Sequence, residues 1–183
     1  MKSVGTQKLI SNRLILRKFS QKDSKEIFEG FRNQKEFLYY TNKKTITLEE
    51  QIDSLNNIDE KYKDKNYYNW LITLKNTKQI IGAINFNINL RNDSVIINYA
   101  IDNRFTGNGY MTEALEIVKD FAFNKMNVHR FEGGCIVTNI ASKRVMEKCG
   151  LVQEGILKDY IKLSDGYHDM FMFSIINENE QFN

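Results

Sequence analysis

Three runs of alternating hydrophobicity, over residues 67–75, 80–90 and 95–101, follow one another with only short polar turns around Asn76-Thr77-Lys78 and Arg91-Asn92-Asp93 between them. Each run is rich in β-branched and aromatic residues at period two, which predicts strands. Turns this short join antiparallel neighbours, because a parallel crossover needs a dozen residues or more. An antiparallel meander is therefore expected at the centre of the chain. Its last strand runs straight into Arg104–Ala114, RFTGNGYMTEA, and from there into a helix over about 110–125 with Met111, Ala114, Leu115, Val118 and Ala122 on one face. A strand, a glycine loop and a long amphipathic helix in direct succession restrict the fold more than any other stretch.

The loop has a chemical reading. Gly107 and Gly109 free the backbone to bend so that successive N–H groups converge, and the helix that follows adds its unpaired first-turn N–H groups and its dipole. Such a pocket suits a pyrophosphate without a lysine. A lone GxG before a helix is more often an ordinary turn, so the surrounding pattern has to decide. A dinucleotide fingerprint is not met: Met111 and Thr112 follow Gly109-Tyr110, and the third glycine of GxGxxG is missing.

On either side of this centre the elements are legible. Residues 9–19 alternate Leu14 and Leu16 with Arg13 and Arg17 and predict an edge or near-edge strand. Ser20-x-x-Asp23 offers a capping box for a helix over about 21–32, and residues 37–40 a short further turn. Thr47-x-x-Glu50 is a second capping box, followed by Leu48, Ile52, Leu55, Ile58 and Tyr62 as one face of a four-turn helix. Past the long helix come a strand over 130–138, a helix over 139–149 closed by Gly150, and two strands over 152–163 and 167–176 around the turn Ser164-Asp165-Gly166. The order is β, two or three helices, three strands, helix, strand, helix, two strands. It predicts an α/β (α+β mixed) domain with about seven strands over residues 1–183.

The composition excludes several classes. With 183 residues, 42 % of them hydrophobic, the chain can bury one substantial core. The net charge of +3 is spread among 26 basic and 23 acidic residues, which gives no footprint for DNA. The N-terminal stretch lacks an apolar core of signal-peptide length and no segment approaches the ~20 apolar residues of a span, so no membrane partner and a cytoplasmic location are expected. Cys135 and Cys149 fit no metal-ligand spacing and no disulfide framework; no metal is expected.

Arg104-x-x-Gly107-x-Gly109 followed by Tyr110-x-Thr112-Glu113-Ala114 resembles the acetyl-CoA signature of the GCN5-related N-acetyltransferase (GNAT) superfamily. A second block agrees: Asn139-x-x-Ser142-x-x-x-Met146-Glu147-Lys148-x-Gly150-Leu151 is similar to the superfamily's later Asn-containing helix. Arg13-Leu14-x-Leu16-Arg17, Ser142 three after the Asn, Glu154-Gly155-x-Leu157 and Asp165-Gly166-Tyr167-x-Asp169 resemble the RimJ/RimL-like ribosomal-protein N-acetyltransferases. The similarity runs from about residue 9 to 176.

The resemblance implies the GNAT fold: a twisted, mixed, mostly antiparallel sheet with helices on both faces and a splay between its fourth and fifth strands for the pantetheine arm. It implies acetyl-CoA as cosubstrate, with the backbone of Tyr99, Ala100 and Ile101 pairing with the pantetheine amides. Arg104, Gly107, Asn108, Gly109, Tyr110 and Met111 would hold the pyrophosphate, with Thr112 adding its hydroxyl. Asn139 is a good N-cap, and in the family this position also reaches the cofactor.

Acyl transfer from a thioester to an amine needs a neutral amine, donors for the developing oxyanion and a proton for the leaving thiolate. Where many members carry a Tyr as that acid, seven residues after the Asn, this chain has Met146. Ser142 is the substitute that the ribosomal branch suggests, beside the plain reading of a Ser that satisfies local backbone. The usual strand Glu is also absent from Val95-Ile96-Ile97-Asn98-Tyr99, where Asn98 stands at a position at which Gly is common. Deprotonating a Lys of pKa ~10.4 at pH 7 costs roughly 4.6 kcal/mol, against about 1.1 for an α-amine of pKa ~7.8. A site without a strong base thus favours an α-amine.

Asp169, Glu132 and Tyr160 are candidate relays, each with a structural reading beside it. His129 and His168 read as surface residues with no acid partner visible in the sequence. Tyr39, Tyr40, Tyr67, Tyr68 and Trp70 are candidates for the acceptor mouth, although aromatics in and beside strands usually pack. The expected activity is N-acetylation of a protein N-terminal α-amine, with a ribosomal-type acceptor; a small amine (polyamine, aminoglycoside or amino acid derivative) is the alternative. A non-catalytic acyl-CoA-binding protein is the reading from another class. A homodimer is compatible with any of them.

Overall fold

The computed structural model describes residues 1–178. Its centre is one eight-stranded sheet in the order β1-β2-β3-β4-β5-β6-β8-β7, one strand more than the hydrophobic pattern predicts. The extra strand comes from residues 9–19, which form two strands instead of one. β1 (Leu9–Ile10) and β2 (Leu14–Arg17) pair back on each other, Leu9 opposite Leu16. The turn between them is held by the Ser11 amide donating to the Leu14 carbonyl, a local contact that alternation cannot reveal. The meander β3 (Tyr68–Leu74), β4 (Ile80–Asn89) and β5 (Ser94–Ile101) is antiparallel throughout.

Helices lie on both faces. α5 (Tyr110–Asn124) and α6 (Ile140–Lys148) cover one face, where Trp70, Ile84, Phe131 and Phe173 from the sheet meet Leu115, Val118 and Met146 from the helices in the larger core. The five residues expected on the inner face of α5 are all buried, each large apolar one worth about 1.5–3 kcal/mol relative to exposure. The opposite face carries α1 (Ser24–Ile27), α2 (Lys35–Thr41), α3 (Leu48–Ser54) and α4 (Ile58–Lys61). Their Ile27, Phe31, Leu55, Ile58 and Tyr62 pack on Leu71, Ile80, Ala83 and Ala100.

Both capping boxes form, at Ser20/Asp23 and Thr47/Glu50. The four-turn helix expected after Thr47 is broken instead at Asn57, whose φ of 63° places it in the left-handed region. An Asn tolerates that conformation, so the apolar periodicity continues across two short helices. The first helix is irregular as well: it opens in a 3₁₀ turn and ends in a π turn over Phe28–Arg32, with Gly30 out of helical geometry.

The site is positioned by β5 and β6 (Arg130–Ile136). These two strands are parallel and pair only through Ser94–Arg130, Val95–Phe131 and Ile96–Glu132. Beyond Ile96 they diverge. β5 goes on pairing with β4 as far as Ile101, while β6 goes on pairing with β8 (Gly166–Ile176), which in turn pairs with the edge strand β7 (Val152–Leu163). The expected splay is therefore present, between the fifth and sixth strands once β1 is counted.

Candidate active site

One edge of the splay is residues 97–101 of β5. Tyr99, Ala100 and Ile101 are bound on one side to Ile84, Ala83 and Gly82 of β4, and their other side faces the gap. An unpaired run of backbone at a sheet edge is a template for an extended, amide-bearing ligand.

At the head of the gap lies the glycine loop. Gly107 and Gly109 have φ of 76° and 75°, a conformation that costs a residue with a Cβ about 1–2 kcal/mol. A Cβ on Gly107 would meet no atom within 4 Å, so the requirement there is backbone conformation and not space. Gly109 caps α5, and its carbonyl accepts from the Glu113 amide at 3.0 Å. The next amides, of Tyr110, Met111 and Thr112, head the 15-residue helix. The Met111 side chain is buried in the core, so that residue offers the loop only its backbone. Asn108 folds its amide back onto the Thr106 carbonyl at 3.0 Å.

Two anchors hold this loop that the sequence reading did not assign. Arg13, immediately before β2, donates from Nη1 to the Asn108 carbonyl (3.0 Å) and from Nε to Glu113 Oε2 (2.6 Å), and its guanidinium lies 4.5 Å from the Tyr110 ring centroid. Glu113 also accepts from the Ser11 hydroxyl and the Arg13 amide. Burial alone would raise its pKa, but these hydrogen bonds prevail and hold it below the usual carboxylate range. The second anchor is Asp102, a carboxylate with 0 % exposure. It accepts from the Arg104 amide (2.9 Å), the Arg104 guanidinium (2.5 Å at Nη2) and Gln34 Nε2 (2.9 Å). Arg104 stays 61 % exposed beyond this pair. The only signals for either anchor were Arg13 within the opening motif and the acid two residues before Arg104.

Across the gap, Asn139 caps α6 as expected, its Oδ1 accepting from the Ser142 amide at 3.1 Å. Ser142, half-buried in the first turn, meets Tyr99: the two hydroxyl oxygens are 2.8 Å apart, and the tyrosine hydroxyl is also 3.2 Å from the Ser142 carbonyl. The sequence had offered only the Tyr99 backbone. Burial pushes the Tyr99 pKa up, and the Ser142 hydrogen bond offsets only part of that, so the phenol holds its proton well past neutral pH. Cys135 of β6 lies against the Ser142 hydroxyl, and burial raises its pKa too. Met146 is buried in the core, and so supplies nothing to the gap where relatives have the tyrosine.

The other candidates separate. Tyr68 and Trp70 are 2 % and 0 % exposed; they belong to the core and not to an acceptor mouth, because their register places them on the face under α5. Tyr67 stays at the surface against Tyr62. Tyr39 donates to Asp165 Oδ2 at the β7–β8 tip (3.0 Å). His168 has an acid partner after all, Asp165 Oδ1 at 2.7 Å from Nε2; the spacing of three across a tight turn brings them together. Glu132 is bound to Arg130 (2.6 Å) and Asp169 to Lys158 (2.5 Å), while Tyr160 is 60 % exposed on the edge strand. Among the described residues no group of His, Cys, Asp and Glu could hold a metal, and no helix is long and apolar enough to cross a membrane.

Comparison with known proteins agrees with this geometry. Residues 13–152 match the acetyltransferase (GNAT) domain family. The chain is 28 % identical to the probable N-acetyltransferase YjcK of Bacillus subtilis, over 88 % of this chain and 87 % of that one. It is 30 % identical to the ribosomal-protein-serine acetyltransferase of Escherichia coli, over 56 % of this chain and 58 % of that one. Among solved structures, the ribosomal L7/L12 α-N-protein acetyltransferase RimL in complex with coenzyme A superposes with a TM-score of 0.77, covering 93 % of this chain and 98 % of its own at 21 % identity. At that identity the likeness speaks for the fold.

Proposed function

The chain belongs to the GNAT acetyltransferase family and is an N-acetyltransferase, and from that premise we propose that it moves an acetyl group from acetyl-CoA to the N-terminal α-amine of a protein, in a single domain spanning residues 1–183 and in the cytoplasm. The observation that carries the proposal is the Tyr99–Ser142 hydroxyl pair at the splay, 2.8 Å apart, in a site whose β5 edge bears Asn98 where an acid would serve as base.

The residues fit acetyl-CoA. Gly107 leaves open space before the head of α5, the exposed Arg104 adds a charge there, and the unpaired edge of Tyr99, Ala100 and Ile101 matches an amide-bearing arm. Gly107, Asn108, Gly109, Tyr110, Met111 and Thr112 would hold the pyrophosphate through backbone amides and the Thr112 hydroxyl, with Asn139 at the same gap. Bound there, acetyl-CoA supplies an acetyl group activated as a thioester.

The chain's own hydroxyls then handle the proton. With Tyr99 donating to Ser142 Oγ, the serine proton is free to point into the gap and protonate the departing sulfur. Tyr99 passes its own proton to Ser142, and the proton that the acceptor nitrogen sheds as the amide forms returns through solvent to Tyr99, which burial keeps protonated at rest. No side chain on the Asn98 side removes a proton from the acceptor. That suits an amine with a substantial neutral fraction at pH 7 to 8, as an α-amine of pKa ~7.8 has and a lysine does not. The kinship with a ribosomal-protein-serine acetyltransferase supports a protein N-terminus as the acceptor.

The test is release of CoA thiol from acetyl-CoA with N-terminal peptides, polyamines and aminoglycosides. Release with a peptide is expected. Ser142→Ala should lower kcat by about a hundredfold, within the range of general acid catalysis, while acetyl-CoA affinity holds. The rate should rise with pH through the α-amine pKa of ~7.8 and show no descending limb up to pH 10, because Tyr99 titrates above its ordinary value. Release with polyamines or aminoglycosides alone would replace the acceptor class. Tight acetyl-CoA binding with no release anywhere would leave a non-catalytic acyl-CoA-binding protein.

A further inference from the structure

On the sheet face that carries α1 to α4, three asparagines stand in one cross-strand row: Asn69 of β3 opposite Asn85 of β4, and Asn85 opposite Asn98 of β5. The row above it, Leu71, Ala83 and Ala100, is covered by the helices. The asparagine row is therefore the first one past the helical cover. Asn98 donates to Asn85 Oδ1 at 3.3 Å, and Asn69 donates to the Tyr67 hydroxyl at 3.0 Å. Beside the row lies a cavity of about 380 Å³ whose lining includes Asn69, Asn85 and Asn87 together with Tyr68, Phe86 and Ile88, and none of its lining residues is charged.

The row begins at the splay. Asn98 immediately precedes Tyr99, whose hydroxyl lies on the opposite face with Ser142. Because β5 and β6 no longer pair beyond Ile96 and Glu132, a group on the Asn98 face can reach the Tyr99 face through the gap. An acceptor whose amine enters there has the rest of its length over Asn98, Asn85 and Asn69.

We propose that this row is an acceptor subsite for an uncharged, extended peptide main chain. The inference rests on the acetyl-transfer reading above and deepens it. A carboxamide carries the donor and acceptor set of a peptide group, so it can pair with both its N–H and its C=O. Strands lie about 4.8 Å apart, so three of them span about 10 Å, which is the reach of three extended residues at ~3.3 Å each. A charged side chain on the acceptor would find no opposite charge in the row or its cavity to offset lost hydration. The selected acceptors are N-terminal segments whose first three or four residues are neutral.

The experiment compares kcat/KM for serine amide with that for the peptide amide Ser-Ala-Ser-Ala on the full chain, in wild type, Asn85→Leu and the isosteric Asn85→Asp. In wild type the peptide should exceed the single residue by about tenfold, the worth of one or two ordinary hydrogen bonds. In Asn85→Leu that ratio should fall toward one. Asn85→Asp should instead prefer a peptide with Lys at the third residue over one with Glu, a preference that wild type lacks. Thermal melts of both variants check folding, and Asn85→Asp, equal in shape, gives the answer if Asn85→Leu is unstable. Equal wild-type rates for short and long acceptors, or a ratio that Asn85→Leu leaves unchanged, would overturn the subsite while acetyl transfer stands. Acetylation of neither acceptor by protein with acetyl-CoA bound would remove both readings together.

Discussion

Asp102→Ala should destabilise the protein by about 2–3 kcal/mol. The carboxylate is 0 % exposed and holds three groups, Gln34 Nε2, the Arg104 amide and the Arg104 guanidinium. Hydrogen bonds to a charged group contribute roughly 1.5–3 kcal/mol each, but these do not simply add. Arg104 is 61 % exposed and rehydrates when released, so its ion pair counts for well under 1 kcal/mol. Deleting the carboxylate also removes the cost of having buried it. What remains is the bond from Gln34 and the cap on the turn Asn103–Phe105, the latter worth about 1 kcal/mol. At 2–4 °C per kcal/mol for a chain of this size, the melting temperature should fall by roughly 5–10 °C. Asp102→Asn keeps the shape, the cap and the Gln34 partner and should lose about half as much. The pH dependence has a definite sign. Burial raises the Asp102 pKa, but its hydrogen bonds from Arg104 and Gln34 prevail and lower it. Its stabilisation is therefore complete above the unfolded value of ~3.9 and fades as the pH falls through the lower folded value. Urea melts at pH 7 and about pH 2.5 of wild type, Asn and Ala forms measure this. An Ala variant within 0.5 kcal/mol of wild type would refute the view that Asp102 anchors the entrance to the glycine loop.

Gly107→Ala should cost the fold only the 1–2 kcal/mol of its left-handed backbone, since its Cβ meets nothing, yet weaken acetyl-CoA binding at least tenfold by calorimetric titration. Arg13→Ala frees the Asn108 carbonyl, Glu113 and the Tyr110 ring together; it should lower acetyl-CoA affinity several-fold while changing stability by about 1 kcal/mol, read by titration and by urea melts. Burial pushes the Cys149 thiol up to about 12 and raises Cys135 as well, so iodoacetamide at pH 8 should label neither within an hour in the native protein and both in 6 M guanidinium. Rapid native labelling would show that α6 opens from the sheet.

How much of this was legible from the sequence follows from the range of each interaction. Capping boxes at Ser20 and Thr47, the Asn139 cap and the inner face of α5 all depend on residues three or four apart, and each was readable. The edge hairpin was not, because Leu9–Leu16 pairing depends on a turn whose hydrogen bond leaves no mark on the alternation. The break at Asn57 was hidden for a related reason: the apolar stripe that defines a helix persists when two short helices share one core. Trp70 and Tyr68 show the limit from the other side. Their residue types suit a binding mouth equally well, and only the β3–β4 register decides which face they occupy.

The candidate site divides along the same line. Along the chain, Ser142 is three residues from Asn139, and both were found on one helix. Tyr99 is 43 residues away on another strand, and it meets Ser142 only because β5 and β6 stop pairing after three residues. On the proposed reading, the phenol comes to Ser142 from the sheet and not from the position of Met146. A buried phenol can be brought to that hydroxyl from the sheet as well as from the helix. Met146 itself lies in the core. The same logic applies to the base. Asn98 replaces an acid on the strand, and the row it begins has the means to hold a neutral peptide in place of removing a proton. With the proposed α-amine acceptor, the absence of an acid on this strand is consistent with the chemistry, since an amine with a pKa near 8 leaves a base little to do.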